Sequence, residues 1–187
     1  MAAIAYLPPS HYQQERIICS ITAAEKYAVP ANILLAIAEK ENGKPGVWVK
    51  NTNGTHDIGP MQFNTAYLKT LSKYGIFPTD VANSGCYAFD LAAWRIHAHL
   101  SKDAGDIWTR AANYHSRTLH YNTVYRADLI KKANRWANWL DKFMQTNSAT
   151  IKTYKTQSET KLVSDSNTEI ATVKKTYVPR KIFVTDH

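Results

Sequence analysis

An apolar run with helical spacing that ends in an acid is the feature that most restricts how this chain can fold. Residues 32–42 read NILLAIAEKEN, and one helix face carries Leu34, Ile37, Ala38 and Glu41 at i, i+3, i+4 and i+7. Glu41 therefore points the way the core residues point, and Gly43 follows as a helix stop. Partial desolvation and the helix dipole both raise the pKa of such a carboxyl, which suits a general acid. The alternative is a protruding helix end, with Glu41 solvated as most glutamates are.

The stretch after this helix is polar and rich in turn residues. Residues 51–64 read NTNGTHDIGPMQFN and close on a compact cluster of apolar and amide side chains. Gly59 allows the backbone to approach a neighbour closely, and Gln62 offers both a hydrogen-bond donor and an acceptor. This stretch favours a functional site beside Glu41 over a merely solvated helix end.

Three ordered motifs resemble those of the SLT-type lytic transglycosylases of the lysozyme-like superfamily. They are LLAIAEKENG at 34–43, DIGPMQFN at 57–64 and NYHS at 113–116, and the resemblance runs from about Cys19 to Leu140. More narrowly, the chain resembles the small specialised members that accompany conjugation, type IV pilus and type III or IV secretion machines. The resemblance implies a lysozyme-like, goose-type fold that is all-α, or α+β at most through a small hairpin.

The resemblance also implies the site residues. Glu41 matches the sole catalytic acid of the family, and the matching substrate-binding residues are Asn42, Gly59, Met61, Gln62 and Tyr114. Asn42 stands where the family usually has serine, Pro60 where it has leucine, and His115 where many members have asparagine. On periodicity alone Tyr114 is nearly as well explained as a core aromatic, and its NYHS context favours the cleft.

One carboxyl is enough for the reaction that this family performs. Many glycosidases use two carboxylates, whereas here the N-acetyl group of N-acetylmuramic acid (MurNAc) assists departure of the leaving sugar. The C6 hydroxyl of the same sugar then attacks the anomeric carbon. Glu41 would serve as acid to the glycosidic oxygen and then as base to that hydroxyl. The implied product is a 1,6-anhydro sugar, and no cofactor is expected.

Asp57 is the candidate for a second carboxylate. As the base of a goose-type lysozyme-like muramidase, it would activate water across the cleft. As a structural residue, it would brace the loop, since aspartate readily bonds backbone amides before a glycine turn. The structural interpretation is favoured, and the muramidase is kept as the alternative function.

The chain has two cysteines, Cys19 and Cys86. Similar paired positions recur in the secretion-associated branch, so the resemblance implies a disulfide between the first helix and the middle of the domain. The periplasm, where the substrate lies, permits oxidation. A pair of buried thiols is the alternative.

Composition and spacing argue against a metal centre, a nucleic-acid module and a membrane helix. His97 and His99 lie two residues apart on a predicted helix and diverge, while His115 and His120 lack ligand partners at suitable spacing. The formal charge of +8 suits anionic cell-wall polymers, but no basic stripe interleaves with aromatic residues as nucleic-acid modules require. No stretch approaches the ~20 apolar residues of a membrane helix.

The chain is predicted to comprise an N-terminal arm (1–14), a lysozyme-like transglycosylase domain (15–144) and a low-complexity, disordered tail (145–187). Predicted helices lie near residues 11–28, 31–42, 64–74, 86–102, 106–115 and 123–144, with a small hairpin over 51–58. In the tail, only residues 176–185 have the composition of a strand or docking peptide.

The resemblance implies an enzyme that cleaves the β-1,4 bond between MurNAc and N-acetylglucosamine (GlcNAc) in peptidoglycan glycan strands. Components of a secretion, conjugation or pilus machine are the expected partners of the tail. The segment MAAIAYLPPS does not match a secretory signal, so a periplasmic location rests on the resemblance. A catalytically weak peptidoglycan-binding assembly factor is the rival from another class.

Overall fold

Helices dominate the structure, and a small antiparallel sheet lies between the second and third helices in the sequence. The computed structural model describes the backbone of residues 11–161 and the side chains of residues 11–145. The helices are α1 (His11–Lys26), α2 (Ala31–Glu41), α3 (Thr65–Leu71), α4 (Pro78–Ala82), α5 (Tyr87–Lys102), α6 (Ile107–Ala112) and α7 (Leu119–Lys161), and the strands are β1 (Trp48–Lys50), β2 (His56–Ile58) and β3 (Phe63–Asn64). The predicted fold class, helical with a small sheet, is confirmed.

Helix α2 is the central helix of the core. Residues 33–38 are all buried, so the helix is enclosed on more sides than the single apolar face that the sequence predicts. It packs against α1 and α5. Because α2 is fixed along most of its length, its last residue, Glu41, is held in a defined position.

The end of α2 differs from the expectation that Gly43 stops the helix. Asn42 takes the left-handed conformation, with φ +48°, and its N–H bonds the carbonyl of Ala38 at 3.2 Å. Asparagine tolerates this conformation better than most residues. Gly43 is needed for space instead, because a Cβ there would lie 2.1 Å from the carbonyl oxygen of Gly59. The close approach joins the end of α2 to the turn after β2.

The sheet has the order β1-β2-β3, and both pairs are antiparallel. The hairpin predicted over residues 51–58 is wrong in its limits, since its first strand begins at Trp48 and a third strand follows at Phe63. In the register, Asp57 lies opposite Asn64. Ile58 and Phe63 are completely buried, whereas β1 is exposed along its length. The sheet is therefore anchored to the core through β2 and β3.

Several helix limits also differ from the prediction. The helix predicted near 64–74 is α3 followed by a single 3-10 turn, Ser72–Tyr74. Helix α4 was not predicted; Pro78 starts it, and the carboxylate of Asp80 accepts the N–H of Phe77 at 2.8 Å. The helix predicted to end near residue 144 runs to Lys161, although threonine and serine, which have modest helix propensity, are frequent in this part of it.

The chain divides into two compact units after Trp136, whereas the domain was predicted to extend to residue 144. The domain limits remain a prediction. In the second unit, Trp139 stacks on Phe143 with ring centroids 5.0 Å apart. Residues 1–10 and 162–187, which include most of the predicted arm and the predicted docking segment 176–185, lie outside the described residues. Over residues 11–161, no helix is long and apolar enough to span a membrane.

Helices α1 and α5 are joined at two points. The structure contains the disulfide between Cys19 and Cys86 that the resemblance implies, and it closes a long loop, with a sequence separation of 67. Further along the helices, Lys26 pairs with Asp90 at 2.9 Å, and the hydroxyl of Tyr27 also bonds that carboxylate. These links stabilise the packing on which the central helix α2 depends.

Candidate active site

A cavity of about 380 Å³ lies at the carboxyl end of α2. Helices α2, α3 and α5, the sheet and the segment after α6 contribute its lining residues, which are Glu41, Asp57, Gln62, Asn64, Tyr67, Arg95, Tyr114 and His115. The three sequence motifs, far apart in the chain, therefore meet at one cavity.

Glu41 has the environment that a general acid requires. It is partly buried, and its Oε1 accepts a hydrogen bond of 2.6 Å from the hydroxyl of Tyr125. Burial raises the pKa of Glu41 from its ordinary value of 4.5 to about 7, and the charge of Asp57 adds to the effect. The Tyr125 hydroxyl and the cations of Lys40 and Arg95 oppose this rise without cancelling it. Near neutral pH, Glu41 can therefore both donate and accept a proton.

Tyr125, in the first part of α7, is the residue that positions this carboxyl. It is buried, its ring stacks on His115 with centroids 4.7 Å apart, and the Lys40 ammonium lies 4.7 Å from its ring centroid. Lys40 is itself held by Asp128 at 2.7 Å. No motif in the sequence singles out Tyr125. The one sequence signal is that it precedes Leu129 by one helical turn on the apolar face of this helix, which indicates burial but not a polar partner.

Tyr114 lines the cavity, but its hydroxyl does not contact Glu41. The ring is buried and meets Phe63 edge to face, with centroids 6.2 Å apart. The hydroxyl donates to the backbone carbonyl of Met61 at 2.8 Å. Burial raises the pKa of Tyr114 well above its ordinary value, so it remains a neutral donor. Tyr114 is therefore both a buried aromatic and a lining residue of the cavity, and Tyr125 makes the bond to the carboxyl.

The other residues expected to bind substrate divide into two groups. Gln62 lines the cavity, with φ +49°, and its side-chain amide donates to the carbonyl of Gly59 at 2.9 Å. Met61 is completely buried and is not among the residues that line the cavity. Gly59 is buried and Asn42 is exposed, and neither is among the described residues that line the cavity. From the DIGPMQFN motif, the cavity is thus lined by Asp57, Gln62 and Asn64.

Asp57 lies on β2 and lines the same cavity as Glu41. Its Oδ1 accepts the side-chain amide of Asn64 at 2.9 Å. Asn64 also donates to Thr55 and, through its own oxygen, accepts the N–H of Ala66 to begin α3. The bracing partner is therefore a side-chain amide rather than the backbone amides expected. Asp57 is both braced by Asn64 and exposed to the cavity. Its two predicted roles, as a loop brace and as the base of a muramidase, therefore both remain predictions.

Arg95 on α5 is a lining residue that the sequence analysis missed, since a single cation on a helix carries no specific signal. Its guanidinium carbon lies 4.2 Å from the ring centroid of Tyr67 and 4.7 Å from that of Tyr114. Stacking on two rings fixes a positive charge on the cavity wall.

The cavity continues on both sides. A neighbouring cavity of about 330 Å³ shares Glu41 and His115 and extends to Tyr121. Another of about 240 Å³ shares Tyr67 and Arg95. Adjoining cavities therefore form an extended cleft around Glu41. Among the described residues, no group of three or more His, Cys, Asp or Glu side chains is placed to hold a metal ion.

The family comparison agrees with this geometry. The family model described as Transglycosylase SLT domain matches residues 18–137, which include Glu41, the cavity and Tyr125. The chain belongs to this family. The match supports a lysozyme-like fold and the lytic transglycosylase family for the described domain.

Two curated relatives of this SLT domain protein come from Salmonella and Shigella. Invasion protein IagB of Salmonella typhimurium (strain SL1344) is 29% identical over 122 residues, which cover 65% of this chain and 74% of the relative. Protein IpgF of Shigella flexneri is 33% identical over 105 residues, covering 55% of this chain and 68% of the relative.

Proposed function

We propose that this protein is a peptidoglycan lytic transglycosylase that cleaves the β-1,4 bond between MurNAc and GlcNAc and forms a 1,6-anhydroMurNAc end. The observation that carries the proposal is the environment of Glu41. A partly buried carboxyl with a pKa near 7, bonded by one tyrosine hydroxyl in an extended cleft, suits a group that gives and then takes a proton.

In the first step, protonated Glu41 donates its proton to the glycosidic oxygen while the bond from that oxygen to C1 of MurNAc breaks. The carbonyl oxygen of the N-acetyl group bonds C1 as the GlcNAc hydroxyl leaves. In the second step, the Glu41 carboxylate takes the proton of the C6 hydroxyl, whose oxygen attacks C1 and displaces the N-acetyl oxygen. Glu41 ends protonated, and no water is consumed.

The side chains around Glu41 have roles in these steps. The Tyr125 hydroxyl orients Oε1 and stabilises the carboxylate formed between the two steps. The charge of Arg95 acts in the same direction. Gln62 and Tyr114 shape the sugar site, and the Gln62 amide is oriented by its bond to Gly59.

A water-using muramidase is the second candidate, and the observation that favours it is the position of Asp57 in the same cavity as Glu41. In that reaction, Asp57 would take a proton from water as the water attacks the anomeric carbon. Its bond to Asn64 fixes one carboxylate oxygen and leaves the other for water.

Product analysis separates the candidates. Purified peptidoglycan is digested with the wild type and with Glu41→Gln, and the muropeptides are weighed by mass spectrometry. We expect ends lighter than hydrated reducing ends by one water, and we expect them to vanish with Glu41→Gln. Hydrated ends would establish the muramidase. No products from either protein, together with retained binding to peptidoglycan, would establish the catalytically weak binding factor.

We also propose that the enzyme acts in the periplasm and opens the wall locally for an envelope-spanning machine, with residues 145–187 recruiting a component of it. One relative's description as an invasion protein supports a link to such a machine. Fractionation of the producing cell tests the location. Assembly of the machine in cells that carry Glu41→Gln or a chain ending at residue 144 tests the role, and normal assembly in both would refute it.

A further inference from the structure

The cavity of about 240 Å³ beside the active site has a strongly positive lining. It adjoins the catalytic cavity through Tyr67 and Arg95, and it also presents Lys102, Asp103 and Arg117. Three permanent cations thus face one carboxylate. Such an imbalance in a concave site favours an anionic ligand.

The one carboxylate is already engaged by its neighbours. Asp103 accepts bonds from two nitrogens of Arg117, at 3.0 and 3.2 Å, and from the side-chain amide of Asn113 at 2.7 Å. Its Oδ2 also lies 2.7 Å from Nδ1 of His99, within hydrogen-bonding distance. Asp103 therefore orders this edge of the cavity and offsets the charge of Arg117, which leaves Arg95 and Lys102 without a carboxylate partner inside this cavity.

Arg95 and Lys102 form no ion pair with a carboxylate among the side chains described at residues 11–145. The guanidinium of Arg95 is held in place by Tyr67 and Tyr114 rather than by an anion. A planar guanidinium is weakly hydrated and matches the two oxygens of a carboxylate. Lys102 is exposed at the rim, where an ammonium attracts an anion as a point charge.

We infer that this cavity is a subsite for a carboxylate of the peptide stem that MurNAc residues carry in peptidoglycan. The inference rests on the proposed function, because the stem hangs from the sugar that is cut. Its carboxylates are the anions closest to the scissile bond, and Arg95 lines both the catalytic cavity and this one. Trp94 adds an apolar surface to the lining for the aliphatic part of the peptide.

Binding to an inactive protein tests the subsite without cleavage. The probe is a soluble GlcNAc-MurNAc-tripeptide, compared with the same compound whose carboxylates are amidated, in calorimetric titrations of Glu41→Gln. Relative to this background, we expect Kd to rise about tenfold with Arg95→Gln and about two- to fivefold with Lys102→Gln. Arg95→Lys should recover part of the loss. Lys131→Gln, an exposed lysine on α7 outside the cavity, should change nothing.

The amidated probe should bind the Glu41→Gln background more weakly than the free acid does. Its affinity should not change when Lys102→Gln is added to that background. Equal affinity of the two probes for the background would overturn the inference. So would unchanged free-acid affinity after Arg95→Gln and Lys102→Gln, with circular dichroism confirming that both variants fold.

Turnover separates failure of the subsite from failure of the proposed function. We expect Lys102→Gln to lower kcat/KM on intact peptidoglycan and not on glycan strands whose peptides an amidase has removed. If the wild type cleaves both substrates and Lys102→Gln changes kcat/KM equally on both, the subsite is refuted and the proposed function stands. If the wild type binds the free-acid probe more tightly than the amidated one but cleaves neither substrate, the subsite is upheld and the proposed function is refuted.

Discussion

The two walls of the catalytic cavity each present one carboxylate, but they hold it differently. On the helical wall, formed by the end of α2 and His115 and supported by Tyr125, Glu41 accepts the hydroxyl of Tyr125 at 2.6 Å, from a residue 84 positions away. On the sheet wall, formed by β2 and β3, Asp57 receives the amide of Asn64 at 2.9 Å from seven positions away. One wall is assembled by tertiary packing and the other by neighbours in the sequence.

This difference bears on the chemistry that each wall supports. Long-range packing around the end of α2 buries Glu41 and raises its pKa to about 7. The hydrogen bonds of the sheet wall orient Asp57 and begin α3 through Asn64. Because a proton donor near neutral pH needs a raised pKa, the helical wall is the one suited to general acid catalysis.

The largest effect should come from exchanging the two carboxylates for their amides. We expect Glu41→Gln to lower kcat about 10³-fold, because the proton donor is lost, and Asp57→Asn to lower it less than about tenfold. Rates of turbidity loss with purified peptidoglycan measure both. Comparable losses would mean that both walls take part in the chemistry, as in a muramidase.

The next largest effect should arise where the sheet wall depends on close backbone packing. We expect Gly59→Ala to lower the free energy of unfolding by about 3–4 kcal/mol. Gly59 has φ +67°, and an added Cβ would lie 2.1 Å from the carbonyl oxygen of Val81. Urea denaturation measures the loss.

Gly54→Ala is the matched control for Gly59. Its φ of +82° is equally unsuited to alanine, but nothing lies within 4 Å of an added Cβ. It should cost only about 1 kcal/mol. Equal losses at Gly54 and Gly59 would show that backbone conformation, and not close packing, limits the sheet wall.

The third effect concerns the pH dependence of stability. The pKa of Glu41 is about 7 in the folded protein and near 4.5 when unfolded, so the folded state holds this proton more tightly. The contribution of Glu41 to the free energy of unfolding therefore falls as the pH rises from about 4.5 to 7, and it stays constant above pH 7. Glu41→Gln removes the effect and should be more stable than the wild type at pH 8 by about 3 kcal/mol.

Chemical denaturation at pH 4.5 and pH 8 measures the gain of Glu41→Gln over the wild type. The gain should be small at pH 4.5 and reach its full size at pH 8. The same gain at both values would mean that the helical wall does not desolvate Glu41.

The smallest effect should follow from loss of the hydroxyl on the helical wall. We expect Tyr125→Phe to lower kcat about tenfold, because a charge-assisted hydrogen bond to the carboxylate is lost. Since that bond lowers the pKa of Glu41, the alkaline limb of the kcat profile should move to higher pH. Tyr74→Phe, with an exposed ring, should change neither quantity. An unmoved limb in Tyr125→Phe would assign Tyr125 a purely structural role.

Much of the fold and part of the site were predictable from short-range patterns. Periodicity predicted α2 and the inward direction of Glu41, and the motif resemblance implied Gln62, Tyr114 and the Cys19–Cys86 disulfide that the structure contains. The sheet limits and α4 were missed, because strands of two or three residues and a helix of five are too short to show a period.

The sequence by itself determined which acid ends a buried helix and which loop follows it, because helical spacing and turn residues act over a few positions. Only the tertiary structure decided that Tyr125 bonds Glu41, that Met61 is buried away from the cavity lining, and that Arg95 lines two cavities. These contacts join residues far apart in the chain, and no local pattern specifies them. Desolvation, which sets the pKa of the acid, depends on all of the surrounding elements at once.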